Sequence, residues 1–491
     1  MSSTSQFLDP DYFQRQSDGF LTWLAGKPGV RINPKIQIAD LRSHAAGRGV
    51  VARSDLDDGE ELFTIPRAHV LSVQNSHLKG RLPQDLEALG PWLSLIVVMI
   101  YEYLQGEHSA WAPYFRVLPS NFDTLMFWSP AELQELQGSA IVEKIGKQGA
   151  DESILEMVAP IVRANPALFP AVNGVASYEG EAGTQTLLIL AHTMGSLIMA
   201  YAFDIEKPED EEGGRDGEDG YLTDEEEEQS SKGMVPLADL LNADADRNNA
   251  RLFQEEESLV MKAIKPIRAG EEIFNDYGEI PRADLLRRYG YVTDNYAPFD
   301  VIELSLGQIC QAAGLSSADI ESQPPLVFLE ELELLDDGYA IPRPSAGDSL
   351  ADILPDELLL LLKTLSLPAD QLEKQRSKNK PPKPSLGETE AIILAGALQL
   401  NQAQYATPIA HDQELLSQLR QSEAFGPMEA SARRKKMAIQ VRVGEKEILQ
   451  GLYSIVNNQF GAALQNNGGS GLKRAANDDI DEQPRNKAFR T

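Results

Sequence analysis

Residues 234–291 read MVPLADLLNADADRNNARLFQEEESLVMKAIKPIRAGEEIFNDYGEIPRADLLRRYGY. The stretch opens on an asparagine turn, Asp239-Leu240-Leu241-Asn242-Ala243, and closes on two Tyr-Gly pairs, Tyr277-Gly278 and Tyr289-Gly290. Between them, residues 250–278 alternate short apolar runs with charge and glycine, the texture of strands joined by turns. Each part alone is ordinary: Asn side chains make local turns by bonding nearby backbone, and an aromatic strand end capped by a glycine turn is common. Their concentration in one short run is not ordinary, and it marks the place where chemistry is expected.

Working outward, residues 32–73 carry the same strand-and-turn texture: IQIADL, the glycine-bearing AAGRGVVARSDL, and DDGEELFTIP closed by Pro66. From Gly90 the pattern turns helical, beginning with PWLSLIVVMIYEYLQG, where Pro91 suits a first helical turn. Helical character is expected to hold to Phe203. The segment Thr184 to Phe203 has no formal charge and is close to spanning length. It carries Gln185, His192, Thr193, Gly195 and Ser196, and acids rather than bases follow it, against the flank that orients membrane spans. A buried core helix is the expectation, with no membrane association.

Residues 207–233 are poor in apolar residues and rich in charge, too little to bury for folding alone, so a disordered acidic loop is expected there. After the 234–293 strand segment, the chain becomes rich in Leu, Ile and Ala to residue 462. The helices include DELLLLLKTL, ETEAIILAGALQL and EASARRKKMAIQVRVGEKEILQGLYSIV, the last placing Val441, Ile448, Leu452, Ile455 and Val456 on one face. Residues 463–491 read as a disordered tail, and residues 1–27 as an N-terminal helix.

Two structural orders follow: β-rich halves at 28–90 and 234–293 split by a helical insertion at 91–206, then an all-helical region at 294–462. With Gly47-Arg48-Gly49 ahead of the insertion and Asn242 and Tyr277 after it, this α+β arrangement resembles the SET-domain protein-lysine methyltransferases of the Rubisco large-subunit methyltransferase class. The resemblance covers about residues 20–460. It implies a SET fold split by helices and an all-α substrate-binding domain after it.

The resemblance also implies roles. Backbone around Ala46, Gly47, Arg48 and Gly49 would meet S-adenosyl-L-methionine, glycine permitting close approach and positive φ. Asn242 would hold the methionine end of the cofactor and the backbone of the next residue its adenine; Ala243 stands where His is usual, but Ala supplies the same backbone groups. Tyr277 would be the catalytic hydroxyl and would also touch the cofactor, as would Tyr289. Tyr201, Asp239 and Tyr291 would face the substrate lysine. Relatives of this class often carry Arg where Tyr201 falls, which puts that contact with the cofactor carboxylate in question. Tyr201, the acidic insertion and the Asn-Ala turn are similar to the branch of fungal ribosomal lysine methyltransferases and their animal relatives.

Methyl transfer to a lysine amine is an in-line displacement that needs a neutral amine and a fixed geometry. Burial lowers a lysine pKa, a Tyr hydroxyl can orient the amine, and no metal is needed. Tyr291, where relatives often have Phe, adds a hydroxyl that leaves less room for a methylated lysine, so monomethylation is expected.

Composition bounds the rest. At 491 residues the chain exceeds the roughly 250–300 residues at which single cores stop growing, so two globular units are expected. The single cysteine, Cys310, excludes internal disulfides and Cys-rich zinc clusters and suits a reducing compartment. The amino terminus lacks the basic and apolar regions of a secretory signal. Net charge is −31, and Glu206 to Glu228 alone hold thirteen acids against Lys207 and Arg215. That argues against direct nucleic-acid binding and suits a basic protein partner.

Arg433, Arg434, Lys435 and Lys436 read as a solvated helix face, while Lys473-Arg474 with Arg485 and Lys487 reads as a bipartite nuclear-import signal. A nuclear and also cytoplasmic monomer acting on a 60S ribosomal protein is the leading expectation. The alternatives are a methyltransferase of histones or a transcription regulator, and a weakly catalytic SET-fold binding module.

Overall fold

The computed structural model describes residues 9–42, 46–205, 231–315, 322–423 and 428–475. The chain forms two units, Met1–Trp128 with Glu143–Tyr296, and Ser129–Val142 with Ala297–Thr491.

In the first unit, helix α1 (Pro10–Ala25) is capped by Asp9, whose carboxylate accepts from the Asp11 amide, and buries Phe13, Ser17, Phe20 and Leu24 at helical spacing. Strands β1 (Arg31–Ile32), β2 (Ile36–Asp40), β3 (Arg48–Ala52) and β4 (Glu61–Pro66) follow. Helices α2 (Gly90–Leu104) and α3 (Gly180–Tyr201) bound the helical insertion. Pro91 sits in the first turn of α2, as its missing N–H allows. The apolar run at 184–203 lies mostly within α3 and buries Leu187, Leu190, Met194, Leu197 and Ile198 in the core. Among the described residues, no helix is long and apolar enough to cross a membrane.

After α3 the chain becomes extended as β5 (Ala202–Asp204), which pairs antiparallel with β6 (Lys232–Met234), Ala202 opposite Met234 and Asp204 opposite Lys232. Residues 206–230 of the acidic segment lie outside the described residues. Its expected end at 233 is too late, because Lys232 and Gly233 already belong to β6 and Lys232 pairs with Asp204 at 2.9 Å. The acidic segment therefore leaves and re-enters at adjacent strands, where loop length adds only slowly to closure entropy.

Strands β7 (Ala250–Gln254), β8 (Ser258–Ala263) and β9 (Glu272–Ile273) and helix α4 (Arg282–Tyr289) complete the unit. One sheet has the order β1-β4-β8-β7 and another the order β2-β3-β9. The runs LFTI in β4 and LVM in β8 are continuously buried because these strands are central; β7, at the edge, alternates. In the smaller sheet, β3 is central and places Val50 opposite Ile273 and Val51 opposite Glu272. Through that pairing the glycine loop and the segment leading to Tyr277 become neighbours.

The second unit is helical, with α5 (Leu306–Ala312), α6 (Asp356–Ser366), α7 (Glu388–Ala403), α8 (Ile409–Glu423) and α9 (Ala430–Ala475), and it also carries an antiparallel pair, β10 (Val301–Ser305) with β11 (Gly338–Pro342). Val441, Ile448, Leu452 and Val456 of α9 are buried and Ile455 is partly so. Helix α9 does not stop at 462. It breaks at Phe460 (φ −126°, ψ 17°) and resumes to Ala475, so Lys473-Arg474 lie in a helix rather than a disordered tail, while Arg485 and Lys487 fall outside the described residues.

Residues 129–142, expected in the helical insertion, belong to this second unit, and two of their acids, together with Glu423 of α8, pair with the basic cluster of α9. Arg434 pairs with Glu132 at 3.0 Å, Lys435 with Glu135 at 2.8 Å and Lys436 with Glu423 at 2.5 Å. The expected solvated face is thus a set of ion pairs, with the Arg434 side chain only 15% exposed.

Candidate active site

The asparagine turn is set by backbone. Leu237, buried, adopts a positive φ of 77°, and a single 3-10 turn over Ala238–Leu240 follows it. A non-glycine residue there stores strain that its surroundings must hold. From Asn242 the chain runs beside the segment after β9: the Asn275 amide donates to the Asn242 carbonyl at 2.8 Å, Ala243 bridges Asn275 in parallel, and the Asp244 amide donates to the Asn275 carbonyl at 3.3 Å. Tyr277 lies two residues further on. The Asn242 side-chain amide nitrogen donates to Glu272 Oε1 at 2.7 Å and to the Arg48 carbonyl at 3.3 Å. Asn242 Oδ1 is then the end that can accept from an ammonium group.

The two glycines of the upstream loop differ in purpose. Gly47 has φ +66°, and a side chain added there would meet nothing within 4 Å. At Gly49 an added Cβ would lie 2.5 Å from Leu41, 2.7 Å from Glu272 and 3.0 Å from the Asn242 amide. Gly49 is therefore required by protein packing, and Gly47 provides left-handed backbone facing open space. Ala46 closes the loop by donating to the Leu41 carbonyl at 3.2 Å. The structure thus gathers Ala46, Gly47, Arg48, Gly49, Asn242 and Ala243 in one corner, an arrangement with the open backbone and the amide oxygen that an amino-acid-bearing nucleoside requires.

The tyrosines form the adjoining corner. The Tyr277 ring stacks on Tyr289 with centroids 3.9 Å apart and planes 9° apart, and Tyr291 meets Tyr289 edge-on at 6.5 Å. Tyr289 ends α4, and Gly290 follows in the left-handed conformation (φ 75°), with the Thr124 amide 2.8 Å from where a Cβ would stand. Only glycine fits, which fixes the spacing of the Tyr289 and Tyr291 rings. Burial pushes the Tyr277 hydroxyl well above its ordinary range, helped by Tyr291, Tyr289, Tyr201 and Tyr296. Burial does the same to Tyr291 and raises Tyr201 to about 12, with Asp239 adding to the effect. Desolvation disfavours phenolate, so these side chains are neutral hydroxyls that donate and accept hydrogen bonds without acting as bases.

Tyr296, fully buried at the end of the unit, is a member of this corner that local sequence did not reveal. Its hydroxyl is raised by burial and interacts with that of Tyr291. The Tyr291 oxygen is buried and makes no full hydrogen bond within the described residues. The short spacing from Tyr291 to Tyr296 was the available hint.

Asp239 is buried beside them. Its Oδ2 accepts from the Tyr114 hydroxyl, while Oδ1 has no hydrogen-bond partner among the described residues. Burial raises its pKa to about 8, against the lowering effect of Tyr114 and nearby backbone amides. Tyr114, also missed from sequence, comes from the helical insertion, where nothing in its local pattern points to a partner 125 residues away.

Residues 47–278 match the SET domain family, and residues 326–449 match the family described as Rubisco LSMT substrate-binding. The chain is 36% identical to ribosomal lysine N-methyltransferase 4 of Saccharomyces cerevisiae over 62% of its own length and 60% of that enzyme's. It is 30% identical to N-lysine methyltransferase SETD6 of Homo sapiens over 88% of this chain and 89% of the relative. In fold it is similar to the crystal structure of the SET domain of LSMT bound to lysine and AdoHcy, with a TM-score of 0.65 and 21% identity over 92% of this chain and 93% of that one. The order of strands and helices, the corner around Asn242 and Tyr277, and a human relative aligned along most of its length lead to one conclusion: the chain belongs to the SET-domain protein-lysine N-methyltransferases, enzymes that use S-adenosylmethionine, and carries their Rubisco LSMT substrate-binding domain.

Proposed function

We propose that this enzyme monomethylates a lysine of a large-subunit (60S) ribosomal protein, with Tyr277 as its catalytic residue. The observation that carries the site assignment is the coupled group of Tyr201, Tyr277, Tyr289, Tyr291 and Tyr296 next to the Asn242 turn. S-adenosylmethionine supplies an electrophilic methyl group when bound. Gly47 backbone and the Asn242 side-chain Oδ1 would hold it, with Ala46, Gly49, Ala243 and Tyr289 shaping the surround.

The chain's own contribution is positional. The lysine must lose its proton before its lone pair can form the new N–C bond as the C–S bond breaks. A buried, uncharged corner favours the neutral amine, and a Tyr277 hydroxyl that stays protonated can orient the amine without competing for its proton. Carbonyl oxygens nearby can hold the methyl through weak C–H···O contacts. Tyr201, Tyr291 and Asp239 would line the lysine side. The unmet capacity of the Tyr291 oxygen suits a water or the amine itself, and a second methyl would have to displace it.

The substrate class rests on the yeast relative, which is named for ribosomal lysines, and on the acidity of the chain, which suits a basic target. A second reading, a lysine in a histone or transcription regulator, is favoured by the relatives that align along most of the chain and are not named for ribosomes. Nuclear residence is proposed with either.

Purified enzyme, labelled S-adenosylmethionine and either salt-washed ribosomes or core histones separate the readings. The expected result is label on a single large-subunit protein, as monomethyl-lysine by mass spectrometry, with Tyr291→Phe raising the dimethyl share several-fold. Label on histones alone would transfer the assignment to the second reading, and mainly trimethyl product would remove the role of Tyr291.

A further inference from the structure

The Arg48 side chain turns away from the loop that its backbone belongs to and reaches helix α1. Its guanidinium lies over the Phe13 ring at 3.8 Å, Nε donates to Ser17 Oγ at 3.2 Å and Nη1 donates to the Val117 carbonyl at 3.0 Å. Arg42, at the opposite end of the loop, shares the same ring at 4.1 Å and is held by Asp40 at 2.6 Å. Phe13 and Ser17, one turn apart on α1, are 2% and 1% exposed, and the Ser17 hydroxyl donates to the Phe13 carbonyl at 3.0 Å. Burial lowers the Arg48 pKa to about 10, which leaves the guanidinium charged at neutral pH.

The loop is closed between these two arginines. The Leu41 amide donates to the Gly47 carbonyl at 2.8 Å, and the Arg48 carbonyl accepts from the Asn242 side chain. One residue thus ties α1 through its side chain to the asparagine turn through its backbone. We infer that α1 is a positioning element for the S-adenosylmethionine site: Phe13 and Ser17 set the conformation of residues 41–42 and 46–49 through Arg42 and Arg48, and so set cofactor affinity without touching the cofactor. This rests on the reading of Ala46–Gly49 as the cofactor loop.

A core contact alone would not require an aromatic ring at position 13, because Leu fills a core site nearly as well. Two stacked guanidiniums do require one, since the attraction comes from the ring's quadrupole. The test uses the full-length protein. S-adenosylhomocysteine binding is measured by calorimetry, Michaelis constants for cofactor and protein substrate are measured separately, and amide exchange is followed over residues 46–52.

Phe13→Leu is expected to weaken S-adenosylhomocysteine binding about tenfold, to raise the cofactor KM in step and to speed exchange of the loop. It is expected to leave kcat and the protein-substrate KM unchanged. Phe13→Tyr, which keeps the ring face, should restore wild-type affinity. Ser17→Ala, a milder change should Phe13→Leu fail to fold, is expected to weaken binding about two- to threefold. Gly47→Val separates this inference from the loop assignment beneath it. If Gly47→Val abolishes binding while Phe13→Leu and Ser17→Ala bind as wild type, the role of α1 is overturned and the loop stands. If Gly47→Val also binds as wild type, both fall.

Discussion

The tyrosine hydroxyls grouped around Tyr277 are neutral, and Asp239 beside them has no paired cation described; where α8 meets α9 the buried groups are full charges in contact. Asp412 is 0% exposed and accepts from Arg442 at 2.9 Å and Lys446 at 2.6 Å, both of these also buried. Arg442 extends to the Glu135 carbonyl, and Glu445 accepts from Ser139 at 2.6 Å and Tyr405 at 3.0 Å. Burial alone would raise the Asp412 carboxyl, but Arg442, Lys446 and Thr407 outweigh it and hold the pKa below its ordinary value. Asp239 has one hydroxyl partner and no cation among the pairs described for it, and its pKa rises to about 8. The same side-chain type is thus a charge in one unit and largely a neutral acid in the other, because only one of them has paired cations.

The difference suits what each region does. A corner proposed to favour a neutral amine has no use for fixed cations. The helical unit uses charge to fix geometry: residues 129–142, α8 and α9 meet through directional ion pairs that specify one arrangement, although such pairs add little net stability over an apolar alternative.

The strongest way to break this contrast is Asp412→Asn. It leaves Arg442 and Lys446 without their shared carboxylate and is expected to cost about 3–5 kcal/mol by denaturant titration. The pH dependence should change as well. A carboxyl whose folded pKa is lowered stabilises the protein above its unfolded pKa of 3.8, and that contribution is lost as pH falls through the lower, folded value. The acid-side loss of stability should therefore shrink in Asp412→Asn. A variant as stable as wild type would mean that the buried charges do not hold the helices together.

Asp239→Asn probes the other side, with a pH dependence of opposite sign. Between pH 3.8 and about 8 the folded protein keeps a proton on Asp239 that the unfolded chain has released, so stability falls as pH rises through that window. Asn cannot ionise and can still accept from Tyr114. The variant is expected to lose this decline and so to be more stable than wild type at pH 8.5. An unchanged pH profile would show that Asp239 is already ionised in the fold.

Sequence disclosed the parts of the molecule whose chemistry is local. Gly47, Asn242 and Tyr277 stand in short motifs, and the fold brings the Asn242 turn beside both the glycine loop and the segment leading to Tyr277. Strands β4 and β8 were legible as apolar runs because central strands bury both faces. What stayed hidden depends on partners far away in sequence. Tyr114 gains its significance from Asp239, and Tyr296 from Tyr291. The basic run at 433–436 has the composition of a solvated face, and its ion pairs come from the return of residues 129–142 to the second unit for Arg434 and Lys435 and from Glu423 of α8 for Lys436. Arg48 was read for its backbone, while its side chain carries a separate connection to α1. The two roles of Gly47 and Gly49 were likewise inseparable until the neighbours of each were in place.

Tyr277→Phe tests whether a protonated Tyr277 hydroxyl orients the lysine amine. Transfer of labelled methyl groups and S-adenosylhomocysteine affinity should be measured on the same preparation. Loss of the hydroxyl with the stacked ring retained is expected to lower kcat by about a hundredfold or more, with cofactor affinity within about threefold of wild type, because the Tyr289 stack is preserved. Transfer at the wild-type rate by Tyr277→Phe would contradict the account.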